Sequence, residues 1–203
     1  PQALAGPDGR FIEINGVTVH YELHGSGKPV YLLLHGFGAH TYSWREVIAP
    51  LARQGTVLVP DRPGYGLTER IIPSGHDMDN PYSVQGQAVL FAALLDALGI
   101  SEVIAVGHSA GGTVALQLAL DYPGRVRALV LEDAAVFHLE RRVGIIQPLI
   151  RSRWAYRIGR LFSRSAVNRA EAFARLAWYD YSKAPADYLE QYLMPLRSEN
   201  WDI

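Results

Sequence analysis

Apolar positions recur in two rhythms over the first 133 residues, one short and strand-like, one with helical spacing. Residues 11–14 and 17–23 read as strands, and Asn15-Gly16 between them is the chemistry of a two-residue hairpin turn. Residues 30–34 (Val-Tyr-Leu-Leu-Leu) are continuously apolar, as expected of a strand buried on both faces, and 56–59 repeats that character. Residues 103–106 and 126–132 read as two further strands. Helical spacing lies between them. Ser43-x-x-Glu46 has the form of a capping box, opening a helix with Trp44, Val47, Ile48 and Leu51 that Pro50 would kink or restart. Ser83 is placed to cap a helix whose apolar positions Val84, Ala88, Phe91, Leu95 and Leu98 step by three and four, with Gly99 as its stop. Residues 110–120 read as a third helix. Two strands followed by repeated strand–helix units imply an α/β fold, with a mostly parallel sheet and helices on both faces.

The pattern changes near residue 137. Strand-like runs stop, and Arg, Trp, Tyr and Leu recur at helical spacings through Tyr192. Residues 1–137 are therefore expected to form the sheet-containing core and 138–203 a separate helical part. That part reads either as a lid over the carboxyl edge of the sheet or as a helical extension packed elsewhere. Aromatic residues at 154, 156, 178, 179, 181, 188 and 192 would line an apolar cavity in the first case and form ordinary core in the second.

Composition narrows the classes of function. With 203 residues, 49% hydrophobic and 19% charged, the chain can bury a substantial core. A formal net charge of −1 offers no electrostatic case for nucleic acid. The arginines between 141 and 175 are separated by apolar and aromatic residues, which suits an amphipathic lobe. The absence of cysteine excludes disulfides, thiolate metal sites and a cysteine nucleophile. No apolar stretch is long enough to span a bilayer. The sequence opens at Pro1 without Met, so a leader or anchor upstream is left open; cytoplasm is the favoured compartment. Oligomeric state is left open too.

The chemistry is carried by two glycine-flanked segments. Gly107-His108-Ser109-Ala110-Gly111 follows a buried-type strand and precedes an apolar-faced helix. A serine on such a turn is exposed, and glycines two before and two after remove side chains that would collide. Ser109 would then sit at a helix N-terminus, where the dipole favours negative charge, with the Ala110 N–H aimed at a developing oxyanion. The second segment, His35-Gly36-Phe37-Gly38, follows the strand at 30–34 and can supply the other oxyanion donor, the Phe37 N–H. Gly36, Phe37 and His108 would also line the substrate site, with the Phe37 ring against the acyl group. His35 reads as a hydrogen-bonded histidine that shapes this loop.

His35-Gly36-Phe37-Gly38, Asp61-Arg62-Pro63-Gly64-Tyr65-Gly66 and Gly107-His108-Ser109-Ala110-Gly111-Gly112, in this order, resemble the α/β-hydrolase superfamily, in its branch of esterases, haloperoxidase-like hydrolases and carbon–carbon bond hydrolases. The resemblance spans residues 11 to 133. It implies a Ser-His-acid triad, no cofactor, and a helical cap after the sixth strand, which favours the lid reading of 138–203. It also implies that the Asp61–Gly66 loop is structural. Dehalogenases and epoxide hydrolases of the superfamily carry Asp at the nucleophile position; Ser109 departs from them and favours ester, thioester or activated amide chemistry.

The expected function is hydrolysis of a small, mainly apolar carboxylic ester or related acyl compound through a Ser109 acyl-enzyme. A non-catalytic binding protein or inactive fragment of the same fold, an acyltransferase or perhydrolase, and a carbon–carbon bond hydrolase stand as alternatives. The family order places acid and then histidine after the nucleophile. The histidines at 20, 24, 35, 40, 76, 108 and 138 do not supply that base. Asp133, at the end of the sixth strand, is either the triad acid or a residue that caps the following loop. Both gaps lead to the expectation that the sequence is truncated at its C-terminus, with the last strands absent.

Overall fold

The computed structural model describes residues 1–71, 80–136, 170–172, 174–198 and 201. The chain forms two compact units, Pro1–Val136 and Phe137–Ile203. The first holds a six-stranded sheet of β1 (Gly9–Ile14), β2 (Val17–Gly25), β3 (Val30–Leu34), β4 (Thr56–Pro60), β5 (Val103–His108) and β6 (Val126–Glu132), in the order β1-β2-β4-β3-β5-β6. The hairpin pairs Ile14 with Val17, so Asn15 and Gly16 form its loop, both at positive φ (51° and 77°) as a primed turn requires. β1–β2 and β2–β4 are antiparallel, whereas β3 lies parallel to both β4 and β5, and β5 parallel to β6. The sheet is therefore mostly parallel from β4 onward.

Alternation along β3 divides the core. Leu32 and Leu34 join Leu58, Ala105, Phe91, Leu95 and Val114 on one face, while Leu33 joins Trp44, Val57 and Val59 on the other. Helices α2 (Val84–Ala97) and α3 (Ala110–Asp121) supply the first cluster. Helix α1 (Arg45–Ala52) packs Ile48, Leu51 and Ala52 on the second. Helices thus cover both faces, and the carboxyl ends of β3, β4 and β5 emerge side by side.

Ser83 caps α2 through a hydrogen bond from the Gly86 N–H to its hydroxyl, 2.9 Å. The capping box expected at Ser43 does not form. A 3-10 turn, Thr41–Trp44, precedes α1, and Trp44 is the N-cap without a side-chain bond. The reason is tertiary: the Asp61 carboxylate accepts the Thr41 N–H at 2.8 Å, which starts the turn upstream of Ser43. α1 also runs through Pro50 to Ala52 and does not restart there.

In the second unit Tyr188 is buried, edge-on to Trp178 (5.3 Å between centroids) and stacked on Tyr192 (5.5 Å). Tyr179 is fully exposed. Most of the expected helical region, with Trp154, Tyr156 and His138, lies outside the described residues. Among the described residues no helix is long and apolar enough to cross a membrane.

Candidate active site

Ser109 occupies the single residue between β5 and α3 at φ 51°, ψ −120°, a backbone conformation rare for any residue but glycine. The turn is held from both sides. The Ser109 N–H donates to Glu132 O (2.9 Å), and the Ser109 carbonyl accepts from Gly112 N (3.0 Å) and Ala135 N (3.1 Å). The neighbouring glycines are needed for space: a Cβ on Gly107 would lie 2.5 Å from the Gly112 Cα, and one on Gly111 would overlap the Leu34 carbonyl. Strand β5 and helix α3 can meet at this angle only without those side chains.

The loop after β3 passes directly beside the turn. A Cβ on Gly36 would lie 3.2 Å from the Ser109 Cβ and 2.8 Å from the His108 Nδ1. Gly36, His108 and Ser109 are thus brought together. The Phe37 ring is 82% exposed and meets the Tyr65 ring edge-on at 5.8 Å. Among the described residues, neither the Phe37 nor the Ala110 backbone N–H has a hydrogen-bond partner. No side chain among the described residues is hydrogen-bonded to the Ser109 hydroxyl.

Beneath this loop lies a closed polar network. The His35 Nδ1–H donates to the Gly36 carbonyl (2.9 Å), and the Arg62 backbone N–H donates to His35 Nε2 (2.9 Å). These partners assign the neutral Nδ1–H tautomer. The Arg62 guanidinium donates to the His35 carbonyl (2.9 Å) and to Gln87 Oε1 (2.8 Å). Asp61, fully buried, accepts from Thr41 N, Leu67 N and His20 Nδ1, each at 2.8 Å. Its carboxylate fills the place of a side chain at Gly66, which sits at φ 52°. Burial alone would raise the Asp61 pKa; the hydrogen bond and charge of His20, with His40 and His35, outweigh it and hold the group at about 2. Burial lowers His35 to about 4, with Asp61 opposing and Arg62 and His40 adding to the shift. His35 is therefore a neutral hydrogen-bonded group with both nitrogens engaged, not a free base.

Asp133 follows β6 at φ 45° and is exposed. Its carboxylate makes no hydrogen bond among the described residues. The sequence pattern located the two loops but not the residues that tie them together, namely His20, Thr41, Tyr65 and Gln87. Each lies 20 or more residues from at least one partner, and only Tyr65 falls within a segment the sequence singled out, the Asp61–Gly66 loop. Among the described residues there is no group of three side chains suited to a metal ion.

A strand–serine–helix turn with a glycine-containing loop beside it, at the carboxyl edge of a mostly parallel sheet, is the architecture of an α/β-hydrolase fold. Residues 29–202 match the family model described as alpha/beta hydrolase fold, and the chain belongs to that family. It is 36% identical over 140 residues to the 2-hydroxy-6-oxo-2,4-heptadienoate hydrolase of Pseudomonas putida, covering 68% of this chain and 48% of that protein. It is 31% identical over 170 residues to the cis-3-alkyl-4-alkyloxetan-2-one decarboxylase of Shewanella oneidensis, covering 83% and 50%. An epoxide hydrolase structure superposes with a TM-score of 0.72 at 27% identity, covering 96% of this chain and 69% of that one. The chain spans about half the length of these two curated relatives.

Proposed function

We propose that the whole protein hydrolyses a small, mainly apolar carboxylic ester or related acyl compound, with Ser109 as nucleophile and the Phe37 and Ala110 N–H groups as oxyanion donors. The observation that carries this reading is the strained Ser109 at the head of α3, with Gly36 of the donor loop packed against it. The hydroxyl oxygen attacks the substrate carbonyl, and the two N–H groups take up the charge on the carbonyl oxygen. Collapse of the tetrahedral adduct breaks the bond to the alcohol and leaves a Ser109 ester, which water then hydrolyses. A general base must accept the serine proton and deliver it to the departing alcohol oxygen; it is proposed to lie outside the described residues. Asp133 stands as a candidate acid at the next strand end. The exposed Phe37 ring offers the acyl group an apolar wall, with His108 and Gly36 beside it.

The test is a fluorophosphonate probe on the intact protein, with turnover of an aryl ester in parallel. Labelling should fall on Ser109, and Ser109→Ala should lose both labelling and at least ~10³-fold in turnover. An unlabelled wild type, or turnover that survives Ser109→Ala, would sink the reading.

Carbon–carbon bond hydrolysis by the same serine is a second reading, favoured by the similarity to the heptadienoate hydrolase. Turnover of a 1,3-diketone exceeding that of an aryl ester would select it.

A further inference from the structure

We infer that His35 is a positioning residue for the Phe37 oxyanion donor, acting through the Gly36 carbonyl and held in its working tautomer by Arg62; this rests on the acyl-transfer reading above. The Gly36 carbonyl and the Phe37 N–H belong to one trans peptide unit and point in opposite directions. With Gly36 O bound to His35 Nδ1 at 2.9 Å, the Phe37 N–H is turned away from the His35 ring. Rotating that peptide would break the bond, because His35 Nδ1 is the only partner of Gly36 O among the described residues.

The arrangement also polarises the donor. An amide whose carbonyl accepts a hydrogen bond becomes a stronger N–H donor, and such chains reinforce one another in a low-dielectric interior. Here the chain runs from the Arg62 N–H to His35 Nε2, from His35 Nδ1–H to Gly36 O, and through that peptide to the Phe37 N–H. His35 is 1% exposed, so water does not compete for either ring nitrogen. The Arg62 guanidinium holds the preceding peptide through His35 O at 2.9 Å. A histidine in the other tautomer would present a lone pair to Gly36 O and an N–H to the Arg62 N–H, losing both bonds.

Two variants separate the halves of this chain. In His35→Gln the side-chain carbonyl can still accept from Arg62 N, but the donor to Gly36 is lost. In His35→Asn the amide NH₂ keeps a donor near Gly36 O. With an aryl ester, His35→Gln should lower kcat about 100-fold, keep KM within about threefold and weaken phenylboronic acid binding in parallel, while His35→Asn stays within about tenfold of wild type. A residue that only fills space would affect the two variants alike or shift thermal stability without the kcat-specific loss; either result overturns the inference. Should His35→Gln not fold, long-range ¹⁵N correlation on the wild type decides the matter. The Nδ1–H tautomer, with a Phe37 amide that shifts on phenylboronic acid addition, is expected; the Nε2–H tautomer overturns the proposal. A wild type that is neither labelled by fluorophosphonate nor active takes the acyl-transfer reading down with it. An active, labelled wild type with unchanged kcat in His35→Gln removes only the role of His35.

Discussion

Ser109 lies between two flanks of opposite construction. On the β3–β4 side, His35, Asp61 and Arg62 are all buried and joined through paired hydrogen bonds that reach back to Thr41, His20 and Gln87. On the β6 side, Val130 and Leu131 are 49% and 40% exposed, and Asp133 is exposed at a positive φ. Among the described residues that flank is tied to the turn by two backbone bonds, from Ser109 N to Glu132 O and from Ala135 N to Ser109 O, and by one side-chain bond, from the Thr113 hydroxyl to Ala135 O (2.9 Å). The oxyanion donor proposed at Phe37 lies on the closed flank, where moving the loop would break several buried bonds at once. The open flank holds the serine backbone in register and imposes little else.

The closed flank should break hardest at Asp61. Replacing it with Ala leaves the N–H groups of Thr41 and Leu67 and the Nδ1 of His20 without their acceptor. Urea unfolding should show a loss of about 3–5 kcal/mol, the range for removing one partner of a buried charged network. A loss below about 1 kcal/mol would mean that water or a rearranged loop replaces the carboxylate readily.

Acid should act on the same flank in two steps. His35 has a folded pKa of about 4, below its ordinary 6.5, so the folded state resists its protonation. Its contribution is fully present above pH 6.5 and is lost as pH falls toward 4, a change of roughly 3 kcal/mol. The groups facing it are Asp61, whose charge opposes the shift, and Arg62 and His40, which add to it. Asp61 lies at about 2 against an ordinary 3.8, so its contribution holds above that value and disappears only as pH falls from there toward 2. Denaturant midpoints at pH 7, 5.5 and 4 should fall steadily in wild type, and His35→Asn should flatten that part of the curve.

What could be read from the chain follows the reach of its interactions. Gly107, Ser109 and Gly111 act on one another within five positions, so the strand, turn and helix were all legible there. The Asn15-Gly16 hairpin is local in the same way. His35 could be recognised as a loop-shaping histidine and Asp61 as structural, but their partners lie 27 and 41 residues away and leave no periodic trace. The capping box at Ser43 failed for that reason, since a carboxylate from another loop took the N–H that starts the turn. Strand β6 shows the converse limit. Five of the seven residues of Val126–Glu132 are apolar, with Arg127 and Glu132 the exceptions, and both it and β3 read as strands, yet β3 is paired on both sides and β6 on one only. Apolar character identifies a strand without specifying its neighbours.

On the open flank the effects should be small. Asp133→Asn keeps a residue type that tolerates φ 45° and removes the charge, so stability should stay within about 0.5 kcal/mol. Turnover should change little as well, because among the described residues the carboxylate has no partner that orients it. A kcat loss of about 100-fold at unchanged stability would instead assign Asp133 as the acid of the site.

The smallest effect is expected at Val130→Thr, and the same substitution at Val57 in β4 supplies its contrast. Val57 is fully buried between strands and under Trp44. A hydroxyl there has no partner waiting for it, and the substitution should cost about 1–3 kcal/mol. Val130 keeps half its surface in solvent, so the hydroxyl remains hydrated and the cost should stay under about 0.5 kcal/mol. Urea midpoints of the two variants, measured side by side in the intact protein, test the comparison directly. Equal and large losses would mean that β6 is covered there as β4 is. The two flanks of Ser109 would then differ in their polar networks alone, not in burial.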